Sequence, residues 1–159
     1  MTLGIQGSMD AVAAAIIANT GTGQAFDAFT FTVDNCEVLD EEVFRQIETS
    51  SATPDYGVIV DFGGARPFGQ AEFASSTMEY DVYANFYHLV PGNDEYLTAY
   101  TVGVAFLDAF VLYISQWPLL GGLVSGARIL GLGSPVPYHR GTHWYVMMDA
   151  RVGVIENIS

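Results

Sequence analysis

Between Leu97 and Gly122 the chain reads LTAYTVGVAFLDAFVLYISQWPLLGG, a stretch long enough and apolar enough to cross a bilayer. Where it sits decides what the rest of the chain can do. Leu97, Tyr100, Val104, Leu107, Val111 and Ile114 recur at helical spacing and form one continuous apolar stripe. The opposite series, Thr98, Thr101, Ala105, Asp108, Leu112 and Ser115, is small or polar and carries a carboxylate at mid-length. A carboxylate at a bilayer centre costs about 2.5–3.5 kcal/mol on insertion scales. The flanks lack Lys/Arg anchors, and the first cation after the stretch is Arg128. An amphipathic helix lying on a sheet is therefore expected, not a membrane span. A third series, Ala99, Val102, Phe106, Ala109, Tyr113 and Gln116, is also largely apolar. One stripe is expected on the chain's own sheet, and the remainder implies a second burial partner. That partner is either another part of the same chain, such as an N-terminal helix, or a neighbouring subunit.

The segments around this helix alternate. In TMEYDVYANFYHLV (Thr77–Val90), Met78, Tyr80, Val82, Ala84 and Phe86 face one way and Glu79, Asp81, Tyr83 and Asn85 the other. In HWYVMMDARVGVI (His143–Ile155), Trp144, Val146, Met148, Ala150, Val152 and Val154 oppose His143, Tyr145, Asp149 and Arg151. Upstream, YGVIVDF reads as a buried strand ended by the Gly/Pro region GGARPFGQ. AFTFTV reads as a half-buried strand with Phe29, Phe31 and Val33 on one face. DEEVFRQI (Asp40–Ile47) reads as a short helix with acids in its first turn. GGLVSGARILGLGSPVPYHRGT suggests short extended pieces broken by turns. MDAVAAAIIAN reads as an alanine-rich helix capped by Ser8, with Asp10 in its first turn. Lacking a basic flank, it is expected to be a structural helix and not a targeting segment. The fold class expected is α+β: one domain over residues 1–159, with a mostly antiparallel sheet packed by one long helix and an N-terminal helix.

Composition limits the chemistry. The chain has 159 residues, half of them hydrophobic, and a net charge of −13 from eighteen carboxylates against five arginines and no lysine. Nucleic-acid binding needs clustered cations, so the charge balance disfavours a binding surface for DNA or RNA. A negative surface can instead line a passage through which DNA slides without sticking. Neither Gly-rich stretch is followed by Gly-Lys-Ser/Thr, which removes a phosphate loop, and no G-x-S-x-G elbow occurs. Cys36 sits among acids, which blunts a thiolate, and a single cysteine allows no internal disulfide. His139 and His143 with Asp149 are of metal-ligand type, but Arg140 between the histidines opposes a cation there, and they read as residues of a polar rim. Glu79 and Asp81 read as solvated acids. No catalytic residue, cofactor site or metal site is expected. Arg66, Arg128, Arg140 and Arg151 are candidate ion-pair partners for carboxylates on a neighbouring subunit.

The order of these elements resembles the tail terminator (tail completion) family of long-tailed bacteriophages and related viruses. The matching features are the strand TMEYDVYANFYHLV, the PGND break and the helix EYLTAYTVGVAFLDAFVLYI. PLLGG with glycine-rich strands follows, then the last strand THWYVMMDARVGVIENI. With the MDAVAAAIIA helix, this covers roughly Tyr56 to Ile158, and Phe26–Ser51 departs from the pattern. The resemblance implies a structural virion protein with no catalytic centre or cofactor. Its copies would form a hexameric ring at the head–tail junction that caps the tail tube protein, stops elongation and docks the head–tail connector protein. DNA would pass through the lumen without specific binding. Asp40, Glu41, Glu42, Glu79 and Asp81 are the expected lumen-facing acids, and Phe106, Phe110, Tyr113 and Trp117 the expected interface residues, with Arg128, Arg140 and Arg151. Two alternatives stay open: another head–tail joining or tail-tube assembly protein, and a small α+β ligand-binding domain or enzyme using the aromatic interior as a pocket.

Overall fold

The computed structural model of the chain describes residues 4–39, 55–68, 77–90, 92, 96–140 and 143–157. The elements in chain order are α1 (Gly4–Ala18), β1 (Cys36–Val38), β2 (Tyr56–Pro67), β3 (Thr77–Val90), α2 (Tyr96–Gln116), a single 3-10 turn (Leu120–Gly122), β4 (Gly126–Leu132), β5 (Val136–Arg140) and β6 (His143–Asn157). The class is α+β. One mixed sheet runs β1-β2-β3-β6-β4, with β5 also on β6. Among the described residues only the β1–β2 pair is parallel, Cys36 lying opposite Val58. Among the described residues the sheet is packed by two helices, of 15 and 21 residues, so the distinction between one long helix and a shorter one is not sharp.

β6 is the spine of the sheet. One edge pairs with β3 from Trp144↔Val90 to Asn157↔Thr77. The other edge is shared end to end, β5 covering 143–147 and β4 covering 150–155. The alternation of β3 and β6 decides the layers. Tyr80, Val82, Ala84 and Phe86 of β3 and Val146, Met148, Ala150, Val152 and Val154 of β6 meet both helices in the main core. The opposite face keeps a small cluster of Ile59, Tyr87 and Tyr145 at one end, with Leu89 and Met147 packed against it, and carries Glu79 and Asp81 further along β3. Both expected faces are the observed ones.

Three expectations change. β2 continues through Gly63-Gly64 to Pro67 instead of turning. A register shift between Phe62 and Gly64, the latter at φ 141, lets the strand bend and stay paired with β3. AFTFTV is not a strand. Phe29 and Phe31 are both buried and stack at 5.5 Å, but their backbone is held by side chains instead of a ladder. Thr30 N–H donates to Tyr56 Oη at 2.7 Å, Thr32 N–H donates to Asn35 Oδ1 at 2.8 Å, and Asn35 Nδ2 donates to Thr30 O at 2.8 Å. Alternate burial thus arises in an irregular loop, and Val33 ends exposed. Finally, α1 starts at Gly4 and Ser8 is not its cap: inside the helix, Ser8 Oγ donates back to Gly4 O at 2.6 Å. The helix expected at Asp40–Ile47 lies outside the described residues.

α2 meets the sheet through Ala99, Gly103, Phe106, Leu107, Phe110, Tyr113 and Ile114. This is the third series with its neighbours, turned away from the stripe expected to face the sheet. Bulk explains the choice. Phe106 lies 4.8 Å from Phe86, 5.7 Å from Phe26, 5.8 Å from Phe31 and 5.8 Å from Phe110, an aromatic centre no other helix face could supply. Gly103 allows the close approach, since a Cβ there would stand 2.7 Å from Met148 Sδ. Gly103→Ala should be near neutral, because the Met148 thioether can yield and alanine favours the helix. Gly103→Leu should cost about 1–3 kcal/mol by overpacking. Urea denaturation of the two variants checks the difference, and equal stabilities would refute this account of the helix–sheet contact.

Candidate functional site

The polar face of the sheet carries an ion cluster. Residues 79 and 81 of β3 point away from the helices. β2 delivers Arg66 directly across from Glu79, and β4 delivers Arg128 across β6. Glu79 is 1% exposed. Arg66 Nη2 lies 2.6 Å from its Oε1, Arg128 Nε 2.6 Å from its Oε2, and Arg128 Nη2 3.0 Å from its Oε1. Arg66 Nη1 also spans Asp81 at 2.9 and 3.1 Å. Gly153 of β6 makes the room, since any Cβ there would strike the Glu79 carboxylate. The Arg128 hydrogen bond, with the charges of both arginines, outweighs burial and holds the Glu79 carboxyl below its usual range. Arg66 and Arg128 are held correspondingly high, Arg66 chiefly by its bond to Asp81 and Arg128 chiefly by its bond to Glu79. Two guanidinium groups around one carboxylate make a cross-strand clamp. A carboxylate locked as an anion is a poor proton donor or acceptor near neutral pH.

This placement corrects several expectations. Glu79 and Asp81 are buried and neutralised by the chain's own arginines, so they are not lumen-facing acids. Arg66 and Arg128 pair within the chain, and both remain half in solvent. Arg128 also stacks on the Phe68 ring at 5.4 Å. Arg151 lies over the Tyr83 ring at 5.6 Å, with Nη1 3.4 Å from Tyr83 Oη. Beside it, Tyr83, Gly131, Leu132, Gly133, Asp149 and Arg151 line a shallow open depression of about 280 Å³. Arg140 lies in β5 with its side chain outside the described residues, as are Asp40, Glu41 and Glu42.

Among the described residues, no set of three or more His, Cys, Asp or Glu is placed to hold a metal ion. The His139 ring rests against Trp144 at 4.7 Å, and His88 Nδ1 lies 2.8 Å from Leu89 O. Cys36 is buried under α1 with Sγ 3.8 Å from Ala13 O, and burial, assisted by the charge of Glu37, pushes its thiol up to about 12. A thiol-exchange reagent at pH 8 should therefore leave the native protein unlabelled and modify one thiol per chain in denaturant. Rapid labelling of the folded protein would contradict the burial.

The second feature is apolar surface left uncovered by the fold. Leu97 is 71% exposed, and Tyr96, Tyr100, Val104 and Leu112 are also exposed. The stripe expected to be core is thus open over its first two turns, and only Leu107 and Ile114 of it are buried. Conversely, Phe106, Phe110 and Tyr113, expected at an interface, are interior residues of the chain's own core, which corrects that assignment. Trp117 does reach the surface, at 57% exposure. It opens a loop in which Leu119 and Leu123 are also exposed, while Leu120 and Val124 are buried. Gln116, Trp117, Pro118, Leu119, Gly121 and Gly122 line a depression of about 380 Å³. Leu120 adopts φ 49, a left-handed conformation that costs a branched residue about 1–2 kcal/mol. Its anchored side chain holds the loop in place against that cost. Leu119 and Leu123 escaped the sequence reading, which took the segment only as the start of a glycine-rich patch; three large apolar side chains in a segment with no charge was the available signal. By length and composition α2 could cross a membrane, and here it packs one face on a sheet. The chain matches no protein-family model and no curated protein.

Proposed function

We propose that the chain is a structural virion subunit resembling a tail terminator: its copies form a ring that caps the tail tube, stops its elongation and joins it to the head connector. The observation that carries this reading is the open stripe of α2. A helix whose aromatic side is already satisfied by its own sheet still presents Leu97, Tyr100 and Val104 to solvent, beyond what a lone copy shelters. The 21-residue helix is the long helix of the family pattern in this reading, laid on a mostly antiparallel sheet with α1 beside it. The acidic balance agrees as well. At net charge −13, and with Glu79 and Asp81 neutralised internally, the remaining exposed carboxylates would repel DNA threading such a ring. The subunit works by position: it offers one face to the tube and another to the connector, and needs no reacting group. In this reading the ring sits at the head–tail junction of the virion and is assembled in the host cytoplasm.

Negative-stain microscopy and light scattering of the purified chain test the ring, and addition to polymerising tail tubes tests the role. Rings that shorten tubes and bind their ends support a terminator. Incorporation along the tube wall would make the chain a tube subunit instead. A monomer at tens of micromolar that leaves tube length unchanged would overturn the reading.

A further inference from the structure

We propose, resting on the assembly reading above, that neighbouring copies join head to tail: the Trp117–Leu123 loop of one copy seats on Leu97, Tyr100 and Val104 of the next. The two apolar patches sit at opposite ends of α2, a rod of 21 residues and so roughly 30 Å long. They cannot cover one another within one molecule. A joint between two different patches is heterologous, and repetition of it closes a ring when the rotation per copy divides a full turn.

The loop is built as an insert. Trp117 N–H donates to Tyr113 O at 2.8 Å, Leu120 N–H to Trp117 O at 2.9 Å, Gly122 N–H to Leu119 O at 2.9 Å and Val124 N–H to Leu119 O at 3.2 Å. Buried Leu120 and Val124 pin it from beneath, so Trp117, Leu119 and Leu123 are held outward before any partner arrives, and little ordering is lost on docking. Tryptophan in a preformed apolar setting is the side chain most enriched at energetic centres of interfaces.

Charge selects a second copy as the occupant. From Tyr96 to Ala127 the only charged residue is Asp108, in a chain of net charge −13. Two copies repel across most of their surfaces and can approach where carboxylates are missing, whereas a basic partner would be drawn to the acidic surface elsewhere. Six large side chains across the two patches make a small contact beside the roughly 1,200–2,000 Å² that a stable interface buries, so assembly should depend on concentration and gain from ring closure. Extension of the sheet is the competing geometry, and its edges discourage it: register shifts bend β2 and β4, and β2 ends in Pro67.

The test uses the full chain and two double variants at exposed positions, Trp117→Glu with Leu119→Glu, and Leu97→Glu with Val104→Glu, with folding verified by circular dichroism. Each variant alone should need a concentration on the order of 100-fold higher to assemble. Mixed, the two should give a 1:1 heterodimer and nothing larger, because one intact loop meets one intact stripe. Three results would overturn the proposal while leaving the assembly reading in place: wild-type rings with a variant that assembles normally, a loop variant that still dimerises through its stripe, or two monomeric variants that fail to complement. A wild-type chain that stays monomeric would overturn the assembly reading itself.

Discussion

Phe106→Asp should leave no folded chain. The side chain is 0% exposed and is ringed by Phe26, Phe29, Phe31, Phe86 and Phe110. Deleting a buried phenylalanine costs about 3–5 kcal/mol. An unpaired buried carboxylate adds several more. The sum approaches the whole stability of an ordinary domain, about 5–15 kcal/mol. Phe106→Leu, which keeps most of the apolar volume, should retain the fold at a loss of roughly 1–2 kcal/mol. Circular dichroism and size exclusion separate the outcomes. A soluble, folded Phe106→Asp monomer that had merely lost the ability to assemble would move the side chain from the core to a contact between copies.

Glu79→Gln should produce the largest pH-dependent loss. Its carboxyl is held low by Arg128 and Arg66, so the folded state binds its proton more weakly than the unfolded chain does. A depressed acid stabilises above its unfolded value, about 4.3, and loses that contribution as pH falls through the folded one. At pH 7 the variant should be less stable by roughly 1–3 kcal/mol, towards the lower figure because both arginines stay half in water. As the pH falls below the unfolded value the stabilisation is progressively lost, so the gap between the two proteins should be narrower at pH 3 than at pH 7. Thermal melts at both pH values read it directly. A gap that persists or widens in acid would mean that volume or geometry at this site, and not ionisation, sets the stability.

The alternation of β3 and β6 was legible because each strand carries one strongly apolar series, so period and phase point the same way. The extent of α2 was legible too, since Gly92 and the Pro118 region bracket an unbroken apolar run. Its orientation was not. Two of its longitudinal series are rich in apolar residues, and periodicity reports that a helix is amphipathic without saying which stripe turns inward. Phe26 and Phe86, distant in sequence, supply the ring contacts that fix Phe106 inside. The AFTFTV loop failed for a related reason: side chains of Tyr56 and Asn35 satisfy backbone groups that a strand would have paired.

The acids on the polar face show the same division. Alternation correctly sends Glu79 and Asp81 to the side away from the helices, but their burial depends on Arg66 and Arg128, thirteen and forty-nine residues from Glu79. The chain alone determined the α+β class, the two faces of β3 and β6, and a helix with more apolar surface than one sheet can cover, because those follow from local periodicity and composition. Only the tertiary structure decided which helix face is core, which acids are paired by arginines and which apolar side chains stay exposed. Those outcomes depend on which distant side chains arrive to fill volume or cancel charge.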